Sequence, residues 1–157
     1  VKQFEFSLDR LLKVKRQLER LAELEQLRAR EAVDRARAIL DKLRSQLARV
    51  SEQITASVGQ TLPSHQWIAA ANLSERIGES IRLSELEVEQ AEQKLLAAAE
   101  QRAQLATEVE ALATLRRQKW EQWQQEVQRA DQDRLNELGL RRWQQARGEG
   151  GNAQAPV

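Results

Sequence analysis

An all-α fold, two long helices in an antiparallel coiled-coil hairpin with the C-terminal helix the longer, follows from three features of this sequence. The first is an apolar stripe whose spacing alternates four and three residues without a break. It runs Ala70, Ser74, Ile77, Ile81, Ser84, Val88, Ala91, Leu95, Ala98, Arg102, Leu105, Val109, Leu112, Arg116, Lys119 and Trp123, the heptad signature of a coiled-coil face. The second is a single strong break, Gly59-Gln60-Thr61-Leu62-Pro63-Ser64, which divides the chain into two helical stretches. The third is composition: charged residues are 31% and aromatics 4% of the 157 residues, as in long helices rather than compact globular cores. The core is therefore expected to be thin, one seam wide.

Helix 1 is expected over residues 8–58. Phe4 and Phe6 alternate ahead of it, Ser7 has the character of an N-cap, and Asp9 suits the first turn. Its stripe reads Leu11, Val14, Leu18, then Ala22, Ala29, Val33, Ala36, Leu40, Leu43, Leu47, Val50 and Ile54. Between Leu18 and Ala22 the register slips by one residue, a discontinuity that changes supercoil locally without ending a helix. In the connection at 59–64, Gly59 fits a helix C′ position and Pro63 cannot continue one. Ser64 fits an N-cap for helix 2, expected over residues 65–147. Helix 2 with its cap would be roughly 125 Å long if straight, too long to bury its stripe on itself.

So short a connection makes the helices antiparallel neighbours. Their stripes then face each other pair by pair: Ile54 with Ala70, Leu47 with Ile77, Leu40 with Ser84, Ala36 with Val88, Val33 with Ala91. Past the slip the expected pairs are Leu18 with Leu105, Val14 with Val109 and Leu11 with Leu112. Helix 1 runs out near the level of Arg116, so helix 2 should overhang from about Lys119 to Arg147. That overhang carries Trp120, Trp123 and Trp143. Phe4 and Phe6 reach the level of Trp120 and Trp123 and are candidates to cover them. Trp143 lies beyond any intrachain partner, which favours a binding role. Gly139 weakens the last turns, and residues 148–157 read as a flexible tail.

Charge is unevenly spread although the net is only +1: the first and last thirds are basic and the middle is acidic. For most of these charges the plain reading is a solvated face with i,i+4 pairs. No chemistry-bearing constellation stands out. There is no cysteine and no Gly-rich phosphate loop, so no cofactor and no metal site is expected. The lone His65 has no second ligand beside it. Ser74 and Ser84 sit on the stripe without a base, Asp131 and Asp133 face different ways on a helix, and Arg102 on the stripe suits a snorkelling or register-marking residue. An enzyme is the least favoured class. The polar start suggests no secretory signal and no apolar run reaches membrane-span length, so a cytoplasmic protein is the default expectation.

The two ends carry a resemblance. The chain opens with Phe4, Phe6, Leu8, Leu11 and Leu12 in an F-x-F-x-L-x-x-L-L pattern, followed by Lys13, Lys15 and Arg16. It closes with Arg116, Arg117, Lys119 and Trp120, then Asp131, Asp133, Glu137, Arg141, Arg142 and Trp143. This resembles the FliJ family, small coiled-coil proteins of the bacterial flagellar type III export apparatus, with Trp143 where Phe is more usual and Gly139 where a better helix former is. The resemblance implies a non-catalytic stalk, similar to the central stalk of rotary ATP synthases. The end bearing both termini would insert into the hexameric export ATPase (FliI-like) and stimulate it. The protein would also contact the export gate protein (FlhA-like), be tied to recycling of export chaperones, and associate peripherally with the inner membrane. By position, the implied ring-docking residues are Leu11, Leu12, Lys13, Lys15 and Arg16 on helix 1, with Arg116, Arg117, Trp120, Arg141, Arg142 and Trp143 on helix 2. The gate contact is expected nearer the turn or in the middle of the hairpin.

Two alternatives stand beside this reading. One is the stalk subunit of a virulence type III secretion system, which shares the hairpin; flanking genes separate the two. The other is a nucleic-acid-binding coiled-coil arm, which a steep salt dependence of binding would support. The interleaving of basic with acidic residues and the lack of an RNA-binding motif argue against it.

Overall fold

The computed structural model describes residues 3–150, with the side chains described through residue 148. Two α-helices, α1 (Asp9–Ala56) and α2 (Ser64–Gly150), account for nearly all of them, and no strand occurs among the described residues. The helix α2 runs three residues past its expected end and straight through Gly139; the remainder of the expected tail, 151–157, lies outside the described residues.

The helix ends follow local chemistry. The carbonyl of Leu8 accepts the first helical bond, from Leu12 N at 2.9 Å, and Asp9 N bonds Phe6 O at 3.0 Å. Ser7 and Leu8 thus form a turn, and α1 starts one residue later than a Ser7 cap would set it. At its other end Ser57 N is shared between the carbonyls of Gln53 (3.2 Å) and Ile54 (3.1 Å), and Val58 N reaches Thr55 O at 3.2 Å. This tightening satisfies orphan carbonyls of the last turn. Gly59 then takes φ +89°, a left-handed conformation that glycine adopts without a Cβ clash, and it reverses the chain. Gln66 N bonds Pro63 O at 3.0 Å as α2 begins.

The contacts divide the chain into two units. In the unit Val14–Glu108, cross-helix ion pairs run in opposite order along the two helices. Lys15 pairs with Glu108, Glu23 with Arg102 (3.2 Å), Arg37 with Glu92 (2.6 Å) and Arg44 with Glu85 (3.0 Å). The helices of this unit are therefore antiparallel. The Arg37–Glu92 hydrogen bond, and next the charge of Glu92, raise the Arg37 pKa above its ordinary value. Ile54 lines one cleft with Ala70, an expected facing pair, and Ala29 and Ala32 line another with Ala91. The core is thin: Ala22, Val33, Leu40, Ile77 and Ser84 are its buried members, flanked by half-buried residues at heptad spacing.

The buried face of α1 corrects the expected register slip. From Ala22 back toward the start, the covered positions are Glu19, Lys15, Leu12 and Leu8, which continue the four-three alternation without interruption. Leu12 is 2% exposed, whereas Leu11 is 42%, Val14 50% and Leu18 40% exposed. Continuity of the supercoil prevails over the hydrophobicity of the neighbouring stripe. The polar residues it draws into the seam are tolerable because their stems are apolar and their heads reach partners or solvent. Lys15 pairs with Glu108, and Arg102 donates to Gln26 at 3.1 Å as well as to Glu23.

Ser84 is the seam's one orphan among the described residues: its hydroxyl is buried and bonds nothing. Other helical hydroxyls, such as Ser80 on Arg76 O (3.0 Å) and Thr107 on Ala103 O (2.9 Å), bond the preceding turn. Burying an unpaired hydroxyl costs about 1–3 kcal/mol, so Ser84→Ala is expected to raise the thermal midpoint. The corrected seam makes a sharper prediction. Leu12→Ala should destabilise by about 2–4 kcal/mol as a core truncation, while Leu11→Ala should stay within about 1 kcal/mol, as a half-exposed position does. Urea denaturation of both variants measures the difference, and equal losses would return Leu11 to the seam.

Candidate partner-docking surface

The second unit comprises Val1–Lys13 and Val109–Val157. In its described part, residues 4–6 precede the first turn of α1 and lie against α2. Phe6 is buried, and Phe4 and Trp123 are half-buried with ring centroids 5.9 Å apart and planes tilted by 56°. That geometry is favourable for an aromatic pair. The Arg116 guanidinium stands 5.9 Å from the Phe4 centroid, while its Nε donates to Asp9 Oδ1 at 3.0 Å. One arginine thus clamps both the aromatic segment and the start of α1 to α2. Phe4, Phe6, Leu8, Leu115 and Trp123 line a common cleft. The expected cover therefore forms over Trp123, and Trp120 stays 42% exposed.

Beyond Val127 the surroundings change. Every residue over 128–148 is exposed, so this part of α2 packs against nothing among the described residues. It displays Leu135, Leu138, Leu140 and Trp143, with Arg141 and Arg142 beside them. Trp143 is 56% exposed, and the Arg147 guanidinium lies 4.6 Å from its ring centroid, one turn on. This cation–π contact supports the helix locally, as does the long Asp131–Arg134 pair at 3.9 Å. Isolated helices are marginal in water, and an exposed helix with large apolar side chains is a candidate docking surface. Trp and Arg are the residue types that dominate interface energies.

The sequence-derived docking residues accordingly fall into two groups. In this unit Leu11, Lys13, Arg117, Trp120, Arg141, Arg142 and Trp143 are exposed. Leu12 is buried in the seam, and Arg116 is engaged by Asp9 and Phe4. In the Val14–Glu108 unit, Arg16 is exposed and Lys15 is half-buried in its pair with Glu108. Sequence reasoning missed the clamp role of Arg116. The signal was its place on the heptad stripe, where a guanidinium needs an acid such as Asp9. It also passed over Leu135, Leu138 and Leu140, whose spacing fits no single stripe. No group of three or more His, Cys, Asp or Glu able to hold a metal occurs among the described residues.

A long two-helix chain with an aromatic N-terminal clasp and an unpaired basic, Trp-bearing helical end is what the FliJ-type end motifs imply. The family described as the flagellar FliJ protein matches residues 4–148, nearly the whole chain. The chain belongs to the FliJ family. No curated protein and no solved structure gives a significant match. FliJ-family proteins are non-catalytic components of flagellar export, and membership ties this chain to that process. No described helix is long and apolar enough to cross a membrane.

Gly139 lies within the exposed stretch of this FliJ-family chain, and a Cβ added there meets nothing within 4 Å. Gly139→Ala is therefore expected to stabilise the helical end by about 0.5–1 kcal/mol. Amide hydrogen exchange over residues 136–146 should slow, with exchange in the paired part of the hairpin unchanged.

Proposed function

We propose that this protein is a non-catalytic stalk of the flagellar type III export apparatus. The end that carries the N-terminal aromatic segment and the far part of α2 inserts into the hexameric export ATPase and stimulates its hydrolysis. The family match over residues 4–148 carries this reading. The unbroken exposure of residues 128–148, with Trp143 and paired arginines on display, supports the choice of docking end. The exposed Leu11, Lys13, Arg16, Arg117, Trp120, Arg141, Arg142 and Trp143 make the contact. Leu12, Lys15 and Arg116 act indirectly, by holding the helices that present them. The protein also links the ATPase to the export gate protein and to export chaperones, and it works in the cytoplasm at the inner-membrane face of the apparatus. The flagellar family favours this over the virulence-system stalk.

The test separates folding from docking. Removing everything after Asn136, or combining Arg142→Ala with Trp143→Ala, should leave the thermal midpoint nearly unchanged, because the side chains described over 137–148 are all exposed and the Trp143 ring meets only Arg147, one turn on. Both changes should sharply weaken binding to the ATPase ring and abolish stimulation of ATP hydrolysis. The arginine share of the loss should shrink in high salt, where rim charges are screened. A truncated protein that still stimulates fully would move docking to the basic start of α1.

A further inference from the structure

Within the Val14–Glu108 unit, the first turns of α1 bury the wrong residues for their chemistry. The Lys15 side chain is 28% exposed and Glu19 is half-buried, yet their immediate neighbours Val14 and Leu18 are more open than Lys15. Each polar seam residue is preceded by an apolar one, so the same shift of one position would cure both layers at once. Such a shift is a turn of roughly 100° about the helix axis. It would bring Leu18 inward in place of Glu19, at the level of Leu105 that the flanking Lys15–Glu108 and Glu23–Arg102 pairs set, and Val14 inward in place of Lys15. From Ala22 onward both arrangements share the same seam. The difference is therefore a local unwinding between Leu18 and Ala22, a deformation coiled coils accommodate as a stutter-type discontinuity.

The forces on the two arrangements oppose each other. The observed packing keeps an unbroken supercoil and the Lys15–Glu108 pair. It leaves Glu19 in the seam with no ion-pair partner among the described residues and puts two apolar side chains in water. The rotated packing buries those side chains and frees Glu19, but it strains the helix both between Leu18 and Ala22 and again between Leu12, which is buried, and Val14, and it breaks the Lys15 pair. Just beyond, Arg102 is held by Gln26 and Glu23, a polar anchor that fixes the register on the far side of the discontinuity. Packed helical interfaces tend to have two discrete arrangements rather than a continuum.

We propose that this segment is a two-state element: α1 between Val14 and Ala22 exchanges between the observed packing and one rotated by one residue. The two states show different faces to solvent, valine and leucine in one, lysine and glutamate in the other. The Lys15–Glu108 pair is the latch of the observed state.

Cysteine pairs in the full chain test it. Leu105→Cys is combined with Glu19→Cys, with Leu18→Cys, or with Arg20→Cys as an outward-facing control, and intramolecular disulfide formation is timed under mild oxidation. For a minor state of ordinary population, the Leu18 pair should close at on the order of a tenth to a hundredth of the rate of the Glu19 pair. It should nonetheless close clearly faster than the Arg20 control. Glu108→Gln, which removes the latch, should speed the Leu18 pair severalfold, and Glu19→Leu, which keeps the latch and places an apolar side chain in the observed seam, should bring it down to the control. A Leu18 pair no faster than the control, or rates indifferent to both substitutions, overturns the proposal. A nitroxide on Leu18→Cys alone reads the same equilibrium without disturbing the seam partner. Coexisting mobile and immobilised components are expected, and a single mobile component overturns it.

Discussion

The heptad seam between α1 and α2 is the constraint from which the other features follow. The covered residues of both helices lie mainly along this seam, so each depends on the other for burial. Because the seam is one residue wide on each helix, small departures from its period have large effects. A shift by one position replaces a buried leucine with its neighbour, as Leu12 and Leu11 illustrate. The same narrowness explains why ion pairs flank the contact so regularly. Arg37, Arg44, Glu85 and Glu92 stand where their charges reach across the seam's edge. Individually such exposed pairs add little stability; their opposite order along the two helices follows from the short connection at 59–64, which makes the helices antiparallel neighbours.

Much of this was legible in the amino-acid pattern, and the failures have a physical reason. On α2, the stripe from Ala70 to Leu112 coincides with the covered residues, because there the apolar positions and the heptad agree. On α1 they agree only from Ala22 onward. Upstream, reading hydrophobicity alone follows Leu11, Val14 and Leu18 onto a face that the supercoil leaves in solvent. Lys15 and Glu19 were invisible as seam residues because charge is the usual mark of an outer face, and only the pairing with Glu108 makes Lys15 tolerable inside. The candidate docking surface was legible to the extent that it depends on where the antiparallel pairing runs out. The position of Phe4 over Trp123 followed from register, whereas the engagement of Arg116 depended on a three-body contact that no linear spacing encodes.

Membership of the FliJ family gives these details a functional frame. A member of a non-catalytic family acts through what it touches and how firmly its own helices are held. In the unit that carries the N-terminus, the clasp of Phe4, Phe6, Asp9 and Arg116 fastens the start of α1, and over 128–148 the helix is exposed and packs against nothing among the described residues. Fastening and display are thus assigned to different residues within one short region. Leu12 and Arg116 serve the first role, Trp143 and its neighbouring arginines the second.

The turn at Gly59 also bears on how the chain acquires its structure. The cross-helix partners grow steadily more distant in sequence with distance from that turn: 41 residues for Arg44–Glu85, 55 for Arg37–Glu92, 79 for Glu23–Arg102, and 107 for Asp9–Arg116. The entropic cost of bringing partners together rises with the length of the intervening chain, but each pair that forms shortens the loop left for the next. Closure is therefore cheapest beside Gly59 and proceeds outward like a zip. The aromatic clasp at Phe4 and Trp123 would be the last contact made and, by the same reasoning, the first to open.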